Sequence, residues 1–392
     1  MSKRGEKTVS MKDRFLVRLL GNERWQAITI PVFAILLSLI AAAIVILLVG
    51  KNPLTAFQSL MQGSGLWPKA SYAAKKSMLT DFMSFLDLMT PMLFAALAVA
   101  VAFKAGLFNI GVSGQMLCAG FAATAAVGYL EIPGVVAKPL VVLIGIVVGA
   151  LVGGLIGFLK YRFNINEVVS SIMLNYIAQY VISFLIYTNY VDPVSRQSRY
   201  VLASARLTLA DTEIGGLKMN IPLGFILALI AVAAVKFLMD KTRLGYELKT
   251  VGANSKAARY AGINVKKSIV ASMMISGCLA GLAGVTYYLG YYASIGPRTL
   301  ASTGFDAIAV SLLGNSNPVG ILFSSFLITA ITKGSTYMSS TVGVPQEIAS
   351  VVTGLILLFS ACGAYIQYMV KRSKDRMTEA QAEQHNGKEV DG

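Results

Sequence analysis

Three polar runs set inside apolar sequence hold the residues best placed to contact a solute. The first, Gly106 to Gln115 (GLFNIGVSGQ), places Asn109, Ser113 and Gln115 among three glycines. The second starts at Asn164 and Asn166 and continues as Glu167, Ser171, Asn175, Gln179 and Ser183, a recurrence every four residues that draws a slowly drifting stripe along one helix. The third, Thr303 to Pro318 (TGFDAIAVSLLGNSNP), closes a short apolar piece with Gly314, Asn315, Asn317 and Pro318. Neutral amides and hydroxyls of this kind offer hydrogen bonds rather than covalent chemistry. Tyr176 and Tyr180 beside the stripe add flat faces suited to a polar, ring-containing solute.

The same groups have structural uses. Asn109 and Gln115 either face a watery pathway, where broken helix is tolerated, or join helices by hydrogen bonds. Asn175 and Gln179 are read as pathway residues. Glu167 is read as a boundary residue that caps its helix or meets a partner, because Lys160 and Arg162 lie just before it. Asp306 is read as a cap at the start of a discontinuous helix. Tyr287, Tyr288, Tyr291 and Tyr292 are read as an aromatic belt at the membrane boundary.

Catalytic sets are missing. The pairs Gly50-Lys51 and Gly387-Lys388 are followed by Asn52 and Glu389 rather than Ser or Thr, so no phosphate-binding loop of the Walker type is present and any ATP is hydrolysed by another chain. The single histidine, His385, lies in a polar tail, and Cys118, Cys278 and Cys362 sit in apolar segments as packing residues without metal-ligand spacing. The expectation is a non-enzyme that binds no metal or cofactor.

The elements that must position these runs are membrane spans. Hydrophobic residues make up 55% of the 392 positions and charged residues 14%, against about a quarter charged in ordinary soluble domains. Spans of about twenty residues are expected near Ala27 to Val49, Phe82 to Phe103, Val112 to Leu130, Pro139 to Leu159, Val168 to Tyr187, Ile221 to Met239, Ile269 to Tyr291 and Ile348 to Val370. Phe305 to Lys333 adds two shorter pieces that cross or re-enter. The fold class expected is therefore all-α and polytopic, with 8 to 10 transmembrane helices, broken or re-entrant segments and both termini cytoplasmic: an arm over 1–26, a transmembrane domain over 27–370, and a polar tail over 371–392. Gly145, Gly149, Gly153 and Gly157 share one face of a span, as Gly277, Gly281 and Gly284 do later, for close helix packing.

The net charge of +15 reflects orientation rather than nucleic-acid binding. Seven Lys or Arg precede Trp25, and seven more fall in a glycine-punctuated loop, 240–267 (DKTRLGYELKTVGANSKAARYAGINVKK). Within that loop Asn254 can cap a short helix from Ser255 to Ala261 that Gly262 ends, with Ala257, Tyr260 and Ala261 on one side. Such a unit is a docking plug.

Here the sequence resembles the membrane-spanning permeases of ABC importers, in the branch serving simple sugars, nucleosides and branched-chain amino acids. The matching loop residues are Gly245, Glu247, Val251, Gly252, Asn254, Ala257, Ala258, Arg259, Gly262 and Ile263. The resemblance extends to FNIGVSGQ at Phe108 to Gln115, NEVVSSIMLNYIA at Asn166 to Ala178 and GFDAIAVSLLGNSNPVG at Gly304 to Gly320, and covers roughly Ala27 to Val370. The first two motifs look most like nucleoside-uptake members. Ser113 stands where the family often has Glu, so no acidic contact is carried over.

The resemblance implies a bacterial cytoplasmic-membrane permease that pairs with a second, related permease chain, with an ATP-binding subunit using ATP and Mg, and with a substrate-binding lipoprotein. The loop would be the coupling helix, and Asn109, Gln115, Asn175, Gln179 and Asn315 would line or support the path of a nucleoside. A ribose- or galactose-type sugar is the alternative solute. An ion-coupled transporter, a channel and a purely structural subunit are the rival classes.

Overall fold

The computed structural model describes residues 26–345, 347–361 and 368–376. The arm before Gln26, Cys362 and the tail from Met377 on, with His385, lie outside the described residues. Helix α1 (Gln26–Leu48) turns sharply into α2 (Pro53–Gly63), its Ile35–Leu48 part meeting α2 at 114°. The corner is built by Asn52, whose side chain accepts from Leu54 N at 2.9 Å, and by Pro53, which has no N–H to satisfy at a first helical position.

Helix α3 (Met78–Lys104) is apolar over its second half and stands at the centre, with Leu93 through Val99 fully buried. After the Gly106–Gly111 break come α4 (Val112–Ala123), α5 (Gly134–Phe163) and α6 (Glu167–Leu185). Helix α5 turns Leu143, Val147 and Leu151 outward, an apolar face suited to lipid. The opposite face of α5 meets α10 (Val265–Thr286) almost backbone to backbone. A Cβ at Gly153 would lie 2.9 Å from the Cα of Gly277, so the expected glycine faces meet each other.

Between α6 and α7 (Leu223–Lys241) the chain departs from the all-α expectation. Strands β1 (Thr208–Ile214) and β2 (Leu217–Pro222) pair antiparallel about Gly215 and Gly216, both with positive φ (59° and 78°). A Gly-Gly pair is a two-residue hairpin signal, and it overrides the helical surroundings. Helices α8 (Arg243–Ala253) and α9 (Ser255–Tyr260) form the 240–267 loop.

The Phe305–Lys333 stretch also differs from expectation. Helix α11 (Thr303–Leu313) is short, but α12 (Pro318–Val342) is a full 25 residues, started by Asn317 and Pro318 and stopped by Gly343 at φ 70°. In its second half Gly334, Ser335 and Met338 are buried while Thr332, Thr336 and Ser340 stay exposed, so polar residues break the apolar run. Helix α13 (Glu347–Ala361) follows. Among the described residues six helices are long and apolar enough to cross a membrane, or seven if the bent α1–α2 pair is one span. The chain is a mostly helical multi-pass membrane protein.

Candidate functional site

Helices α4, α6 and α10 each end in a π-helical turn: Thr124–Gly128, Ile186–Tyr190 and Tyr287–Tyr291. In the last, Tyr292 N donates to Tyr287 O at 3.0 Å, one residue wider than an α-turn. That extra residue brings the rings of Tyr287 and Tyr292 to 4.8 Å and those of Tyr291 and Tyr292 to 4.9 Å. The tyrosines are not a lipid-facing belt. Tyr288 is buried, and the other three form one wall of a cavity of about 510 Å³ at the end of the molecule remote from α8 and α9.

The facing wall is α12, which presents Thr329, Thr332, Lys333, Thr336, Tyr337 and Ser340. Ser302, Thr303 and Asp306 of the α11 start form the floor, and Lys69 with Gly63 closes the α2 side. Asp306 lies in the first turn of α11 and lines the cavity, its carboxylate accepting from the Ser302 hydroxyl, while no side chain caps that helix. The α12 face went unnoticed in the sequence. Its signal was there, since Thr329, Lys333, Thr336 and Ser340 recur at helical spacing.

Contacts from the β1 side and from α3 brace this cavity. Thr208 at the start of β1 donates to the buried Asp87 of α3 at 2.7 Å, and Arg206 donates to Gly290 O at 3.1 Å, inside the tyrosine turn. Lys333 donates to Ser84 and lies 5.8 Å from the centre of the Tyr291 ring.

Deeper in the molecule, the sequence-predicted polar residues meet each other instead of the cavity. Asn109 donates to Ser276 Oγ at 2.8 Å and to Gln115 Oε1 at 3.2 Å, and accepts from Gly111 N at 3.0 Å. Asn175 accepts from Gly114 N at 2.9 Å and donates to Ile110 O at 3.0 Å, so α6 caps the broken start of α4. Ser113 donates to Ala301 O at 2.9 Å. Higher on α6, Gln179 donates to Arg298 O at 2.6 Å, tying the stripe to the segment after the tyrosines. Asn315 sits apart, at φ 52° in the α11–α12 turn, beside an apolar groove with Val32 and Phe323. Glu167 forms an ion pair with Lys160 at the opposite end from the cavity.

The 240–267 loop is a compact unit on that same end. Thr242 caps α8 through Gly245 N at 3.1 Å, and Glu247 pairs with Arg243 at 2.8 Å. Asn254 caps α9, accepting from Lys256 N at 3.0 Å and Ala257 N at 3.1 Å, and Gly262 ends it at φ 78°. The predicted set divides by direction. Ala258 is fully buried with Val251 and Val265, and a Cβ on Gly252 would lie 2.8 Å from Gly106 N, so both hold the loop against the protein. Ala257, Arg259 and Tyr260 point outward, Tyr260 being 95% exposed. Through Gly252 the loop abuts Gly106, the first residue of the break that carries Asn109.

Residues 82–361 match the protein family described as the branched-chain amino acid transport system / permease component. The chain belongs to this permease family. Among similar proteins, the nucleoside ABC transporter permease protein NupB of Lactococcus lactis is 34% identical over 363 residues, covering 90% of this chain and 96% of that one. The guanosine ABC transporter permease protein NupP of Bacillus subtilis is 33% identical over 356 residues, covering 90% and 99%. The glucose ABC transporter permease protein TsgB13 of Haloferax volcanii is 27% identical over 363 residues, covering 90% and 92%.

Proposed function

We propose that this chain is the membrane permease of an ATP-driven importer that takes up nucleosides. The observation that carries the reading is the near full-length likeness, at 33–34% identity, to two permeases named for nucleosides or guanosine. The cavity chemistry agrees with it. Tyrosine faces suit a flat base, and the hydroxyls of Thr332, Thr336 and Ser340 suit a sugar. A simple sugar is the second reading, favoured by the glucose permease relative at 27% identity.

In this proposal the cavity is the chain's share of the solute path and opens to the outside, where a lipoprotein receptor delivers its load. Asn109, Gln115, Asn175 and Gln179 support that path by fixing the helices around it. An ATP-binding subunit, using ATP and Mg, docks on the outward face of α9, and a second, related permease chain completes the pathway. The chain itself supplies no catalytic group. Its basic loop faces the cytoplasm of a bacterial cell, and with eight to ten crossings both termini lie on that side.

Movement at the ATPase reaches the helices through backbone packing. Gly252 rests on Gly106, and the 106–115 run is bound to α6 and α10 through Asn175 and Ser276. A push on α9 is therefore transmitted to the start of α4 and the base of α10, whose far end bears the tyrosines. The test is labelled nucleoside uptake into proteoliposomes holding this chain with its partner subunits and receptor, with and without ATP. ATP-dependent accumulation is expected. Uptake driven by an ion gradient without any ATPase would sink the proposal.

A further inference from the structure

The cavity holds two charged side chains that the nucleoside reading leaves unused. A charge partly shielded from water is often met by a counter-charge. Lys69 follows the rule, with Asp81 at 2.6 Å. Lys333 and Asp306 line the same cavity, yet among the described residues neither forms an ion pair, with the other or with any third group. The carboxylates nearest Lys333 in the fold are engaged elsewhere, Asp81 with Lys69 and Asp87 with Thr208. A third group points the same way. Thr329 is 1% exposed and lines the cavity, and its hydroxyl has no hydrogen-bond partner among the described residues.

Two opposite charges that line one cavity without pairing suit a ligand that presents a donor edge to one and an acceptor edge to the other. We propose that Asp306 and Lys333 are the base-reading pair of this permease, selecting 6-oxopurine nucleosides over adenosine. This rests on the nucleoside reading and names the substrate class within it. A guanine base offers N1–H and its 2-amino group side by side to a carboxylate, and O6 with N7 to an ammonium. Adenine reverses both ends, turning the N1 lone pair toward Asp306 and the 6-amino hydrogens toward Lys333. Tyr291 and Tyr292 supply flat surfaces in the same cavity, and about 510 Å³ lies within the range of roughly 300–1,000 Å³ typical of small-molecule sites.

The test uses the reconstituted importer with its receptor loaded separately with guanosine, inosine or adenosine, and compares uptake ratios at equal permease incorporation. The unaltered chain should favour guanosine over adenosine by about tenfold or more. Asp306→Asn should bring that ratio close to one and also erase the advantage of guanosine over inosine, which differ only in the 2-amino group. Lys333→Gln should lower the ratio, and Lys333→Arg should restore it. If each variant lowers uptake of all three nucleosides in parallel, or leaves the ratios unchanged, the base-reading role is overturned while nucleoside import stands. If an importer that hydrolyses ATP moves none of the three, the nucleoside reading fails as well.

Discussion

The Asn109–Asn175 network and the tyrosine cavity are both polar and lie in the same membrane protein, where α10 contributes to each. They differ in what their polar atoms meet. In the network, Asn109, Gln115, Asn175, Ser113 and Ser276 are bonded to one another or to backbone. In the cavity, Thr329 has no partner among the described residues, and Lys333 and Asp306 lack counter-ions there. Satisfied groups fix a structure, and unsatisfied ones wait for a ligand. Between these two regions the difference lies in counter-ions and in the open Thr329 hydroxyl, although buried hydroxyls without a described partner, such as Ser171 and Ser325, occur outside the cavity as well.

That contrast can be broken most forcefully in the scaffold. Asn175→Leu removes the partners of Gly114 N and Ile110 O together, and should cost about 3 kcal/mol and several degrees in the thermal unfolding midpoint of the detergent-solubilised complex. An unchanged midpoint would show that the network is dispensable. In the cavity the balance should invert: Tyr291→Ala is expected to cut uptake about tenfold, equivalent to about 1.4 kcal/mol in the transport barrier, with the midpoint hardly moved. Tyr260→Ala, on the far loop, should weaken ATPase binding by about 1 kcal/mol in a subunit titration without affecting receptor docking. The finest discrimination comes from Thr329→Val, which deletes a hydroxyl with no described protein partner. Stability should change by less than about 0.5 kcal/mol while uptake shifts by about twofold. A large loss of stability there would place Thr329 with the scaffold.

Much of this arrangement was legible in the sequence where the signal is local. The Asn254 cap and Gly262 stop of α9 are short-range chemistry and stand as read. The glycine faces of α5 and α10 likewise follow from spacing alone. The cavity was not legible, because its walls come from α2, α10, α11 and α12, and only tertiary packing sets Lys333 in the same space as Asp306. The amides of Asn109 and Asn175 also look alike in sequence whether they meet a solute or a backbone N–H. Direction on a short helix was equally hidden: Ala257 and Ala258 are adjacent, yet one is exposed and the other fully buried. The Gly215-Gly216 hairpin is different, since its signal was local and was passed over in a chain dominated by spans.

The α5–α10 seam has a genetic consequence. At Gly145 an added methyl group would first meet the side chain of Val285, 2.8 Å away. A second-site change such as Val285→Ala could make room, so a defective Gly145→Ala permease should yield suppressors in the facing helix. At Gly149 and Gly153 the obstacle is the main chain of residues 273–281, including the Cα of Gly281 at 2.8 Å and of Gly277 at 2.9 Å. No replacement of a facing side chain can clear main-chain atoms. Revertants of Gly149 or Gly153 should therefore restore the glycine itself, leaving these positions without the compensating routes by which most packed interfaces drift.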